Sequence, residues 1–433
     1  MRCACLRHGT SPSATVRCSL RSPTSRSART PKVAVIAWDV GHNPYGRAYL
    51  LAETLSRAYE VSLVGFQFPR FGDAVWPPLR DAPIQPVVIP GCDFPGFQHS
   101  LAGVVPRIDA DVIIACKARL PALQLGLMLK AARNRPLLVD VDDYELSFFG
   151  NRAPLEDLTS VSPESLAVPF EEAWTRYAEN LVRYADAVIV SNPALAGKFG
   201  GIEVPHARDE TRFDPARFKR ATARRRLGLH HWHRIVLFVG TPRPHKGLRE
   251  VLAALKACRT RNGRLVVVGT PPDDWFASEL QRSGGKYLRM LPDQPFHALP
   301  ELLAAADLVC LLQDPENEIS KYQLPAKVVD AAAMGIPILA SRTPPLAALI
   351  DAGVVEPVDA DNLADRMAHW LGSSRHRMAR PAASRRWFLE HASYAAILPT
   401  LFELIEQHRA APRPIEPGAL AFLHEQDRRY GPA

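Results

Sequence analysis

The residues best placed to do chemistry stand in the run Val239-Gly-Thr-Pro-Arg-Pro-His-Lys-Gly247. An apolar run ends at Val239, the chain turns at Gly240 and two prolines, and a helical pattern opens at Gly247. A helix N-terminus carries unpaired N–H groups and a positive dipole end, which suits an anionic ligand. Arg243 and Lys246 add two full charges there. A guanidinium can grip a phosphate with two parallel hydrogen bonds, and an ammonium is a mobile point charge. The alternative is two solvated charges beside a helix cap. The run is not a Walker loop, which needs a Gly-rich stretch ending in Gly-Lys-Ser/Thr.

A second constellation runs from Ser320 to Ser341 and holds Tyr322, Lys327 and Asp330. Lys327 and Asp330, three apart, share one helix face, and Gly335 stops that helix before a buried strand. The Asp330 carboxylate can accept hydrogen bonds from a vicinal diol such as a ribose; the alternative is a local ion pair with Lys327. In the first half of the chain, Trp38-Asp-Val-Gly-His-Asn-Pro-Tyr-Gly46 follows a strand, and Gly41 and Gly46 let backbone approach a ligand. Val139-Asp-Val-Asp-Asp-Tyr144 offers Asp140, Asp142 and Asp143. An Asp-x-Asp after a strand can hold Mg²⁺ or Mn²⁺ against a diphosphate. These carboxylates fall opposite the phosphate loop, so they are expected on the acceptor side of a cleft, with no metal.

These loops need strands to aim them. Val33 to Ala37, Val61 to Gly65, Asp111 to Ala115, Leu137 to Val141 and Ala187 to Ser191 read as buried parallel strands. Ala48, Leu51, Ala52 and Leu55 mark one face of a helix between the first two. The pattern restarts with Arg234 to Val239, Leu265 to Gly269, Asp307 to Leu312 and Ile336 to Ser341, with Leu248, Val251, Leu252 and Leu255 again helical. The expected fold is α/β: two doubly wound, Rossmann-like domains facing each other across a cleft, with ligands outside the carboxyl ends of the strands. The first domain spans 31–205, a polar and basic connection 206–232, and the second domain 233–384. A helical segment is expected at 385–410 and a tail at 411–433.

Composition narrows the classes. The chain has 433 residues, 47% hydrophobic and 23% charged, as in soluble globular proteins. No apolar stretch approaches the ~20 residues of a membrane span. The formal charge is +8, but residues 1–30 hold six arginines and no acidic residue. Removing those six from 53 basic residues leaves a net of +2 against 45 acidic ones, so no nucleic-acid surface is implied. The leader at 1–30 reads as an unstructured extension or a transit-like peptide. Seven cysteines lie at no metal-like spacing, with Cys116, Cys258 and Cys310 in or near apolar segments, which fits a reducing, cytoplasmic compartment.

Together these segments resemble the retaining, nucleotide-sugar-dependent glycosyltransferases of the GT-B fold, group 1 (family 4), over about residues 32–408. The resemblance is strongest at Phe238 to Leu255 and Leu324 to Ser341. It implies a nucleotide-diphosphate sugar as donor, bound mainly by the second domain. The acceptor would be a saccharide, a lipid-linked compound or a small molecule, bound mainly by the first. Arg243 and Lys246 would hold the diphosphate, with Gly240, Gly247, Tyr322, Lys327 and Asp330 around the donor. Gly41, Gly46, Lys117 and Asp142 would border the cleft from the first domain. Asp330 takes the place of the family's second motif glutamate, Tyr322 stands where the first would be, and Cys116 and Lys117 replace a frequent histidine. No cofactor or metal is implied, and peripheral membrane contact is open for a lipid-linked acceptor. The same architecture also serves UDP-sugar epimerases and sugar-nucleotide-binding proteins without transfer activity.

Overall fold

The computed structural model describes residues 29–431 except 259, 272–273 and 373–380. The leader expected at residues 1–30 falls almost wholly outside them. The described residues from Pro31 onward form one compact unit. It holds two parallel sheets. The first contains β1 (Lys32–Ala37), β2 (Glu60–Gln67), β3 (Val87–Pro90), β4 (Val112–Cys116), β5 (Leu137–Val141), β6 (Ala187–Val190) and β7 (Ile202–Glu203), in the order β3-β2-β1-β4-β5-β6-β7. The second contains β8 (Arg234–Val239), β9 (Gly263–Val268), β10 (Leu288–Leu291), β11 (Leu308–Leu311), β12 (Ile338–Ala340) and β13 (Glu356–Pro357), in the order β10-β9-β8-β11-β12-β13.

Each order reverses at its first strand. Ligands gather at such switch points, beyond the strand ends. The loops after β1 and β4 meet there in one sheet, and those after β8 and β11 in the other. Side chains of one strand alternate between two apolar layers: Ala34 and Ile36 pack into one, Val33 and Val35 into the other. Both faces are therefore covered, which explains the continuous apolar runs.

Two segments pack more deeply than their sequence implies. The basic connection carries the helix Arg220–Arg226, and Phe213, Ala223 and Leu229 join the core of the second half. Buried Arg224 donates to Asp307 Oδ2 at 2.6 Å and to the Ala305 carbonyl at 2.9 Å, so its charge is compensated. Beyond Pro412, where no element is expected, the helix Pro417–Tyr430 buries Ala419, Phe422 and Leu423 against the first sheet's core. The preceding helix, Tyr394–Ala410, packs Ile397 and Leu401 on the opposite layer. The chain thus returns from the second half to cover the first. Among the described residues no helix is long and apolar enough to cross a membrane.

Candidate functional site

A cleft of about 740 Å³ is lined from both halves. On its C-terminal wall the chain leaves β8, makes a single turn over Pro244–Lys246 and enters the helix Leu248–Ala257 through Gly247. Gly247 has φ +67°, and a Cβ there would sit 2.4 Å from Leu312 Cβ, so only glycine fits the turn. The turn brings Arg243 and Lys246 to the cleft. Lys327, at the start of the helix Ala326–Ala333, reaches beneath Gly240; its Nζ lies 5.0 Å from the Phe238 ring centre.

Among the described residues none of these three cations has a carboxylate in ion-pair range. Lys246 Nζ donates to the neutral amide of Gln323, at 3.3 Å. Burial pulls the Lys246 ammonium below its usual range, against the attraction of Asp143. Burial, and then repulsion from Lys246, bring Lys327 down to about 8. Positive charge is therefore concentrated and uncompensated at one loop end.

Asp330 does not pair with Lys327. Its Oδ1 accepts from Arg208 Nε at 2.7 Å, and both residues are buried. Burial raises the Asp330 carboxyl, and Arg208 opposes that rise. Both Lys327 and Asp330 line the cleft, as do Gly46, Gly240, Lys117 and Asp142. Tyr322, Gly41 and Gly247 do not. The Tyr322 ring packs 4.9 Å from that of Tyr144, where Asn192 Nδ2 donates to its carbonyl. Gly41 is wedged against Gln67 and Phe71, its N–H donating to Asp39 Oδ1 at 2.7 Å.

On the N-terminal wall the cations are paired with carboxylates. Lys117 adopts φ +70° just after β4, and its Nζ lies 2.7 Å from Asp142, 2.7 Å from Asp143 and 3.3 Å from Glu145. Burial works against that ammonium, but the carboxylates outweigh it and hold it well above the usual lysine range. Burial pushes the Asp142 carboxyl up to about 7 despite Lys117. Asp143 comes down to about 2: burial opposes this, but Lys117 and the hydrogen bond from Gln323 prevail. The ammonium sits where a metal ion held by these carboxylates would have to be. Among the described residues no group of three His, Cys, Asp or Glu is arranged to hold a metal.

Behind the carboxylates, Arg47 donates from Nε and Nη2 to Asp140 and fixes the Val204 and Pro205 carbonyls. Next in sequence is His206, which lines the cleft. Burial, with Arg47 and Arg208 nearby, drives its imidazole well below the usual histidine range, so it stays neutral. Aromatic rings complete this wall. His42 stacks on Phe71 at 3.9 Å, and Arg119 lies 5.1 Å from the Trp38 ring centre and 5.2 Å from that of Phe149.

His206 and Gln323 are site residues the sequence reading does not single out. Gln323 stands inside the quoted 320–341 run, before Leu324-Pro325, so position was its available signal. His206 lies in a basic stretch whose composition reads as a linker, and nothing local marks it.

Residues 219–387 match the family model described as glycosyl transferases group 1. A D-inositol 3-phosphate glycosyltransferase of Segniliparus rotundus is 31% identical over 229 residues, covering 50% of this chain and 48% of that protein. The chain spans about half the length of such curated relatives. Among solved structures, Anabaena HepE in complex with UDP and glucose aligns with a TM-score of 0.65 at 19% identity, over 87% of this chain and 100% of that one. Sucrose-phosphate synthase from Thermosynechococcus elongatus aligns with a TM-score of 0.62 at 18% identity, over 88% and 100%. This chain therefore has the two-sheet fold of GT-B glycosyltransferases, and its residues 219–387 match the glycosyl transferases group 1 model.

Proposed function

We propose that the chain is a glycosyltransferase that moves a sugar from a nucleoside-diphosphate sugar to an acceptor hydroxyl. The observation that carries this reading is the set of three cations at the end of β8, Arg243, Lys246 and Lys327, without carboxylate partners among the described residues. A diphosphate placed there supplies the missing negative charge. Asp330, oriented by Arg208, lies deeper along the same wall and suits the ribose diol. The UDP-bound neighbour of like fold supports a uridine nucleotide as the first donor to try.

Breaking the bond between the anomeric carbon and the phosphate oxygen builds charge on the leaving diphosphate. Cations fixed beforehand stabilise that charge more in the transition state than in the ground state. The acceptor oxygen bonds to the anomeric carbon as the diphosphate leaves. With retention of configuration, acceptor and leaving group share one face of the sugar, and the departing phosphate oxygen takes the acceptor's proton. No separate carboxylate base is then needed, which agrees with the ion-paired state of Asp142 and Asp143. The N-terminal wall would receive the acceptor.

The test is thermal-shift and calorimetric binding of UDP-, GDP-, ADP- and TDP-sugars, since a ligand that binds only the native state raises its melting temperature. One nucleotide series should bind, and Lys246→Ala should abolish the shift. Failure of every nucleotide to bind would overturn the proposal. Transfer with the bound donor, analysed by NMR for anomeric configuration, then tests retention.

A further inference from the structure

The two walls of the cleft treat charge in opposite ways. Every cation that lines the N-terminal wall is already paired. Arg47 lies 2.7 Å from Asp140, Lys117 sits among three carboxylates, Arg119 lies 2.6 Å from Glu145, and Arg70 at the rim pairs with Glu171. A phosphate entering here would have to take a cation from a carboxylate and leave that carboxylate buried and unpaired, which is strongly unfavourable. The wall also offers unused neutral recognition. Trp38 Nε1 is buried at the cleft with no hydrogen-bond partner among the described residues. Asp142 Oδ1 and Glu145 Oε1 hold the Lys117 ammonium at 2.7 and 3.3 Å and keep further lone pairs for a donor. Trp38 and Phe149 line the same space.

We propose that this wall is a subsite for an uncharged, polyhydroxylated acceptor ring, a saccharide or cyclitol without a phosphate. Hydroxyls donate to the Asp142 and Glu145 oxygens, and one ring oxygen or hydroxyl accepts from the Trp38 indole N–H. The apolar face of the ring lies on the aromatic side chains. Polar groups left unpaired in a buried site reject a ligand that cannot satisfy them, and the existing ion pairs reject one that brings its own charge. The inference rests on the opposite wall being the sugar-nucleotide site, because the two ligands then divide the cleft by charge.

The experiment uses the full chain saturated with UDP, whose own binding is measured first and independently. Ring binding is then followed by calorimetry with two matched pairs: myo-inositol against myo-inositol 3-phosphate, and methyl α-D-glucopyranoside against its 6-phosphate. At least one neutral ring should bind, with its phosphorylated partner at least tenfold weaker. Trp38→Phe, which keeps a ring but removes the N–H, should weaken neutral-ring binding about fivefold and leave UDP binding unchanged. If that variant lowers the melting temperature, Phe149→Ala replaces it, with the same expectation. The proposal is overturned if the phosphorylated ring binds as well as the neutral one, if no ring binds while UDP does, or if both variants bind rings like the wild type. Absence of UDP binding, with rings still bound, would instead count against the donor assignment alone.

Discussion

Gln323 and Asp143 meet across the cleft: the glutamine Nε2 donates to the aspartate Oδ1 at 2.9 Å. The same amide's oxygen accepts from Lys246 at 3.3 Å. One neutral side chain thus orients a donor-side cation and ties it to the acceptor-side carboxylates. A carboxylate at position 323 would neutralise Lys246 and repel Asp143, whereas the amide does neither.

The two roles separate by magnitude. Lys246→Ala should lower turnover of the donor by about 100-fold or more, the loss seen when a preorganised transition-state donor is removed. Gln323→Leu should cost only about 5- to 10-fold, the worth of a net hydrogen bond that positions the lysine. Donor hydrolysis or transfer rates measure both. A loss below tenfold for Lys246→Ala would remove that residue from the leaving-group role.

Lys327 should give donor binding an alkaline limb. With its ammonium brought down to about 8, binding of a diphosphate above that pH must take up a proton. Affinity should then fall by up to tenfold per pH unit above pH 8, and Lys327→Arg should flatten the profile. The same group destabilises the fold. Its native pKa lies below the unfolded value, so the penalty is complete below about pH 8 and is relieved as pH rises toward 10.5. Lys327→Met should therefore stabilise the fold at pH 7 by at most about 3 kcal/mol, raising the melting temperature, while weakening nucleotide binding. A lower melting temperature would contradict the burial cost.

His206 should make the protein acid-sensitive. Its imidazole binds a proton less readily in the folded state than in the unfolded one, because of burial and of Arg47 and Arg208, with Lys117 adding to them and Asp143 opposing. The unfolded chain takes up the extra proton as pH falls through 6.5, so stability falls below that point. Melting curves between pH 7.5 and 5 should show the loss in the wild type and a smaller one in His206→Asn. Identical slopes would mean that other groups carry the acid response.

Lys117 should behave as the counter-ion of its acid cluster. Lys117→Met leaves Asp142, Asp143 and Glu145 around an empty position, and removing one side of such a buried network costs about 3–5 kcal/mol. The chemical-denaturation midpoint should fall accordingly. Turnover of the wild type should be insensitive to EDTA, because the ammonium already occupies the centre of the cluster. EDTA inhibition reversed by Mg²⁺ or Mn²⁺ would refute this.

Much of the fold is legible along the chain because buried parallel strands are apolar on both faces. The expected strands at Leu137 to Val141 and Arg234 to Val239 match β5 and β8 residue for residue. The strands that the apolar pattern does not mark, β3, β7, β10 and β13, are the four sheet edges. Edge strands here are only two to four residues long and partly exposed, too short to stand out as an apolar run: Val87 is 60% exposed and Ile202 39%.

The sequence by itself determined the two repeated α/β halves and the cationic loop at Arg243 and Lys246, because strand, turn and helix start are local patterns within about ten residues. Tertiary structure alone decided the partners. Asp330 is taken by Arg208, 122 positions away, and not by Lys327 on its own helix. Lys117 meets carboxylates about 25 residues downstream because β4 and β5 are neighbours in register. The pairing state of each charge, and hence which wall favours an anion, depends on distances that chain order does not encode.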